Sequence, residues 1–185
     1  VNVADTVAPV LTLIGNASVM HEQGTVFTDP GVSANDSVDG DISGSVVVSG
    51  LVNVNVAGTY TLNYTVTDAS SNAAIPVFRS VEVVDTVAPI ISLLGGAEMT
   101  HEQGTVFTDP GVAANDSSEG DLSGSVIVGG SVNTAVAGSY VLTYDVSDSA
   151  GNAAVQMSRT VNVADTVAPV LTLIGNASVM HEQGT

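Results

Sequence analysis

The stretch Asn35–Ser43, "NDSVDGDIS", sets Asp36, Asp39 and Asp41 within six residues, with no lysine or arginine beside them. Eighty residues on, Asn115–Ser123 reads "NDSSEGDLS", with Asp116, Glu119 and Asp121 in the same places. Like charges this close repel, so the pattern needs water, an idle loop or a cation. Carboxylates are hard oxygen ligands, and Ca2+ takes 6–8 oxygens at about 2.3–2.6 Å from carboxylates, carbonyls and water.

Two further acidic segments recur with the first. "ADTVAP" carries Asp5 and returns with Asp85 and Asp165. "TDASSN" carries Asp68 and Asn72, and its counterpart "SDSAGN" carries Asp148 and Asn152. In an Ig-type sandwich the incoming chain, the loop after the second strand and the loop before the last strand share one pole. Asp5, Asp36, Asp39, Asp41, Asp68 and Asn72 are therefore expected to converge, as are Asp85, Asp116, Glu119, Asp121, Asp148 and Asn152, with Asp165 opening a third set. The sets contain no histidine or cysteine, which disfavours zinc and copper. Magnesium keeps more water and is second choice to Ca2+. The spacing is not an EF-hand loop, because Val47 stands where its last glutamate would fall. Any one of these aspartates reads more simply as an Asx-turn; their convergence is what points to a cation.

Elements that bring these loops together are legible in the repeat. Residues 1–25 return unchanged at 161–185, and "VEVVDTVAPIISLLGGAEMTHEQGT" stands midway at 81–105, a period of 80 residues. Such a period describes an array of domains. The reading is the end of a preceding repeat at 1–4, full repeats at 5–84 and 85–164, and the first segment of a third at 165–185. Within a repeat, Val, Thr, Ile and Tyr alternate with polar residues, and Gly, Pro, Asn and Asp punctuate them. In "GTYTLNYTVTD", Tyr60, Leu62, Tyr64 and Val66 share one face, and Thr61, Asn63, Thr65 and Thr67 the other. Strands are expected near 9–15, 18–22, 31–34, 45–49, 51–54, 59–67 and 73–84. About seven short strands with turns every 8–12 residues describe an Ig-like sandwich. The fold class is all-β: tandem Ig-like antiparallel β-sandwiches joined end to end by short linkers. Tyr60 and Tyr140, after "VAG" and at the start of a late strand, read either as tyrosine corners or as simple core rings.

The run "DTVAP…TDPG…DGD…AGTY…D-x-x-G-N" resembles the bacterial Ig-like repeats of large surface proteins and adhesins, of the HYR and DUF5011 type. The resemblance covers each whole repeat and implies β-sandwich spacers strung along a secreted chain, often stiffened by calcium. Ser71 departs from the pattern, where the second repeat keeps Gly151.

Composition sets the outer limits. Among 185 residues there are 19 acidic side chains and two cations, Arg79 and Arg159, for a formal charge of −17. That excludes a basic nucleic-acid footprint and electrostatic attraction to an anionic membrane. Apolar runs fall short of the roughly 20 residues a spanning helix needs. Cysteine is absent, so no disulfide framework exists. The opening "VNVADTVAPV" lacks the charged head and apolar run of a signal peptide and reads as an internal piece.

The remaining polar residues carry modest expectations. His21 and His101 have no second histidine in their repeats and are expected to be solvated or hydrogen-bonded. Glu22 is a candidate extra Ca2+ ligand or a plain turn residue. Arg79 and Arg159 are expected to pair with a carboxylate on a neighbouring strand. No nucleophile, histidine and acid combine into a catalytic set, so no enzymatic activity is expected. The expected function is that of structural spacer repeats in an extracellular or cell-surface adhesin or filament, rigidified by Ca2+. Partners are neighbouring repeats and identical chains in a fibre. A carbohydrate-binding module, stacking sugars on Phe27 or Phe78, is the alternative.

Overall fold

The computed structural model describes residues 3–175, 177, 178, 180, 181, 183 and 184. Val1 and Asn2 of the expected preceding repeat, and positions 176, 179, 182 and 185 of the expected third, lie outside the described residues. By mutual contact the chain forms two compact units, Val1–Ile90 with Ala114–Ser125 and Val146–Ala154, and Ile91–Ala113 with Val126–Asp145 and Val155–Thr185.

Residues 10–84 form seven strands: β1 (Val10–Leu13), β2 (Ser18–Glu22), β3 (Val32–Asp36), β4 (Gly40–Asp41), β5 (Val47–Ser49), β6 (Gly58–Thr65) and β7 (Val77–Val84). They make two sheets, in the orders β1-β3-β4 and β2-β7-β6-β5. The same set recurs as β8 (Ile90–Leu93), β9 (Glu98–Glu102), β10 (Val112–Asp116), β11 (Gly120–Asp121), β12 (Ile127–Gly129), β13 (Gly138–Asp145) and β14 (Met157–Ala164). The protein is all-β, as the alternation requires. Pairing is antiparallel with one correction: β2 runs parallel to β7, from Ser18↔Ser80 to Glu22↔Val84, and β9 pairs with β14 likewise.

Alternation holds on β6 and the two residues after it. Leu62, Tyr64 and Val66 are buried while Thr61 and Thr67 are exposed. On β7, Arg79, Val81 and Val83 share the inward phase, and Phe78 and Glu82 face out. The core of the first repeat gathers Leu11, Ala34, Val66 and Ala74, with Val32, Ile42, Val46 and Val77 against it. Two expected elements differ. Residues 51–54 form no strand but lead into a turn, and residues 73–75 contribute only the bridge Thr67↔Ala73. The unexpected element is β4, which folds the acidic stretch back on β3 through Asn35↔Asp41 and Asp36↔Gly40, a hairpin closed by Gly40 at φ +75°.

Tyr60 donates its hydroxyl to the Val56 carbonyl at 2.8 Å, and Tyr140 to Val136 at 2.9 Å. Of the two readings of these rings, the geometry is that of a corner, a hydroxyl tied to backbone a few residues upstream.

Candidate metal centre

Three segments deliver one aspartate each to a common point. Asp5 precedes β1, Asp36 ends β3, and Asp68 opens the loop that leads to β7. One carboxylate oxygen from each lies within 4.8 Å of the other two, and Asp85, Asp116 and Asp148 repeat the arrangement. Both clusters belong to the first compact unit.

Local hydrogen bonding explains how each side chain is held. Asp5 Oδ1 accepts the Val7 N–H at 3.0 Å. Asp36 Oδ1 accepts the N–H groups of Val38 at 2.7 Å and Asp39 at 3.0 Å, so the β3–β4 turn closes on its side chain. Asp68 accepts the Asn72 N–H at 2.7 Å on Oδ1 and the Asn72 amide nitrogen at 2.8 Å on Oδ2. Asn72 also donates to the Asp5 carbonyl, as Asn152 does to Asp85. Both asparagines thus present the amide nitrogen inside the cluster and stitch it together rather than adding a side-chain oxygen.

What remains is a set of unsatisfied acceptors. Asp5 Oδ2, Asp36 Oδ2 and Asp116 Oδ2 are buried without a hydrogen-bond partner. Asp36 is 7 % exposed and Asp116 2 %. A buried charged acceptor with no partner is costly. Neither arginine relieves it, because Arg79 pairs with Asp29 and Arg159 with Asp109. The backbone N–H groups of Asp39 and Val38 hold the Asp36 carboxyl below its usual range. Burial pulls Asp116 upward, but the N–H and hydroxyl of Ser118 and the N–H of Glu119 outweigh it, and its carboxyl also lies low. Both are ionised acceptors at neutral pH, the state a hard cation requires. Three carboxylates from separate segments, two of their oxygens orphaned in the first repeat, fit such an ion.

The other residues of the expected set are placed differently. Asp39 turns one oxygen to the Ala69 N–H at 2.8 Å, tying the β3–β4 turn to the loop after β6. Glu119 makes the same tie to the N–H and hydroxyl of Ser149. Carboxylate survives at 39 and 119 as a loop-to-loop strap, which accounts for the change of residue without a ligand role. Asp41 and Asp121 accept the N–H and hydroxyl of Ser43 and Ser123, and those hydroxyls hold both carboxyls low. Asp165 is exposed and accepts the Val167 N–H.

Glu22 accepts the Thr86 N–H at 3.0 Å and the Thr86 hydroxyl at 2.6 Å, next in sequence to Asp85. His21 Nε2 lies 3.1 Å from both the hydroxyl and the carbonyl oxygen of Thr25, and its ring meets Phe27 edge-on at 5.2 Å. The arginines depart most from expectation. Arg79 is fully buried, and its partner Asp29 sits in the loop before β3, not on a strand. Arg79 Nη2 donates to the carbonyls of Ile14 and Gly31, and the Tyr64 hydroxyl donates to both Asp29 oxygens. Burial, with the neighbouring Asp29 charge, pushes the Tyr64 phenol up to about 12. The period-2 phase shared with Val81 and Val83 was the signal that Arg79 faces the core.

The family described as bacterial surface protein, Ig-like domain, matches residues 11–83 and 91–163. Among solved structures, a lipoprotein from Bacteroides thetaiotaomicron is 32 % identical over 43 % of this chain and 39 % of its own, with a TM-score of 0.39. A ZmpB chain from Clostridium perfringens, holding a catalytic domain with CBM51-1 and CBM51-2, covers 92 % of this chain and 33 % of its own at 13 % identity and a TM-score of 0.50. The chain thus spans well under half the length of these solved chains. No curated protein matches it.

Proposed function

The chain belongs to the family of bacterial surface protein Ig-like domains, and from that premise we propose that it is a structural spacer of an extracellular adhesin or filament, rigidified by Ca2+ held at the aspartate clusters. The observation that carries the ion is the pair of orphaned oxygens, Asp36 Oδ2 and Asp116 Oδ2, on residues more than nine-tenths buried, each residue having a carboxylate oxygen within 4.8 Å of oxygens from two further aspartates. Asp5, Asp36 and Asp68 would hold one ion, and Asp85, Asp116 and Asp148 another. A bound Ca2+ supplies the positive charge that these carboxylates otherwise lack.

Its mechanical effect follows from chain order. Val84 ends β7 and Asp85 begins the next repeat, so a cluster that fixes Asp85 fixes the linker residue itself. The linker "VVDTVAP" has no flexible Gly/Ser stretch, and Pro89 restricts it further. Filling the cluster removes the remaining freedom, and repeated along an array this extends and stiffens the chain. The partners in this reading are neighbouring repeats and identical chains in a fibre.

Carbohydrate binding has less behind it. The open hollow of about 510 Å³ beside β5 is lined by Val26, Phe27, Val48 and Leu51, with a single aromatic ring to stack a sugar on.

Isothermal calorimetry of the whole chain with CaCl2, paired with small-angle scattering in Ca2+ and in chelator, tests the proposal. Binding heat together with a longer maximum dimension in Ca2+ supports it. Absence of binding heat overturns the ion site, and binding with an unchanged dimension overturns the stiffening.

A further inference from the structure

The two clusters are built from the same three aspartates and differ at one position whose side chain hydrogen-bonds to them. Position 38 is valine in the first repeat, with its side chain 68 % exposed. The equivalent residue in the second is Ser118, whose hydroxyl lies 2.5 Å from Asp85 Oδ2 and 2.8 Å from Asp116 Oδ1. The turn itself is unchanged: the N–H of Ser118 reaches Asp116 Oδ1 at 2.8 Å, and that of Val38 reaches Asp36 Oδ1 at 2.7 Å.

We propose that Ser118 makes the second cluster the weaker cation site, so that the two repeats load with a divalent cation in sequence, the first before the second. This inference rests on the cation reading above and goes beyond it by making the sites unequal.

The reason is the state each cluster leaves when it takes an ion. In the first, two oxygens, Asp5 Oδ2 and Asp36 Oδ2, have no partner and surrender nothing. In the second, only Asp116 Oδ2 is orphaned, because Asp85 Oδ2 already accepts the serine proton. A hydroxyl between two carboxylates also softens their repulsion in the ion-free state. Binding must break or share a charge-assisted hydrogen bond, which is stronger than a neutral one. A tenfold difference in affinity corresponds to about 1.4 kcal/mol, the size of one such bond after exchange with water.

The test is a calorimetric CaCl2 titration of the whole chain and of two exchange variants, Ser118→Val and Val38→Ser. Each variant installs the residue the other copy carries in the same turn, so folding is preserved. The wild type is expected to show two steps about tenfold apart. S118V tightens the weaker step and V38S weakens the tighter one, so each variant draws the steps together. Two ions bound with a single affinity, or an S118V step that weakens because the serine oxygen is itself a ligand, overturns the inference and leaves the ion sites standing. No binding heat in the wild type overturns both.

Discussion

Replacing Asp116 by asparagine separates a metal ligand from a turn residue. The asparagine oxygen can still accept the N–H groups of Ser118 and Glu119, which lie 2.8 and 3.1 Å from Asp116 Oδ1. Its amide nitrogen then takes the place of the orphaned Oδ2. In chelator two effects oppose each other. Charges within 4.8 Å repel by about 1 kcal/mol in water and about 3–4 kcal/mol at the effective dielectric of buried sites, and the substitution removes that repulsion. It also turns charge-assisted hydrogen bonds into neutral ones, a loss of about 1 kcal/mol each. The balance lies near zero. The ion term has no such offset. A site held at a hundred times its dissociation constant gains about 2.7 kcal/mol, which for a domain of this size is a rise of about 10–20 °C in Tm. Thermal melts of wild type, D116N and D121N, each in chelator and in millimolar CaCl2, therefore give a clear contrast. D116N loses the Ca2+-dependent rise of the second repeat, while D121N, whose carboxylate serves Ser123, keeps it. Equal losses in both variants, or a full rise in D116N, refute the reasoning.

The buried network, the alkaline range and the strained loop give further tests. Asp29→Ala leaves the fully buried Arg79 without its counter-charge and is expected to cost the first repeat about 3–5 kcal/mol in urea unfolding. Tyr64 and Tyr144 have phenols raised from 10.0 to about 12 in the folded state; their contribution is intact below pH 10 and is lost as pH rises through 12, so stability falls across that window and less steeply in Y64F/Y144F. Ser71 holds φ +70° where the second repeat has Gly151 at +93°. Ser71→Gly is therefore expected to raise the stability of the first repeat by about 1 kcal/mol, read by urea melts.

Much of this arrangement was legible in the sequence because it rests on period and topology. The 80-residue repeat and the two-residue alternation are enough for an all-β array, and Ig topology is enough to bring Asp5, Asp36 and Asp68 together. Local turns were legible: Asp41 accepts the Ser43 N–H two residues on, as an Asx-turn does. Longer-range hydrogen bonding was not, and nothing in the order of residues says that Asp39 reaches the Ala69 N–H, because that depends on the β4 hairpin, a two-residue strand below the reach of any periodicity. The parallel β2–β7 pair escaped for a related reason: a five-residue strand looks the same from either direction. Arg79 does pair with a carboxylate, but Asp29 lies on a loop and not on the neighbouring strand expected. A guanidinium on the inward face was readable from Val81 and Val83, but its counter-charge, 50 residues earlier on an irregular loop, was not.

The turn reading and the cation reading of these aspartates, opposed at the level of sequence, turn out to concern different oxygens of the same side chain. Asp5 and Asp36 each commit Oδ1 to N–H groups of their own turn and leave Oδ2 buried and unpartnered. The turn fixes the side chain's direction, and the oxygen it does not use is the one left free for the proposed ion. Asp68 marks the contrast, since Asn72 occupies both its oxygens. Its part is to add charge and hold the third loop in place, with its own hydrogen bonds to rearrange before it can bind closely. Asparagine in its place would set its amide nitrogen against that of Asn72. Asp68→Asn should therefore weaken Ca2+ binding less than Asp36→Asn while destabilising the ion-free repeat more. Calorimetry and chelator melts on the two variants give that ordering directly, and the reverse ordering would show that Asp68, not Asp36, is the principal ligand.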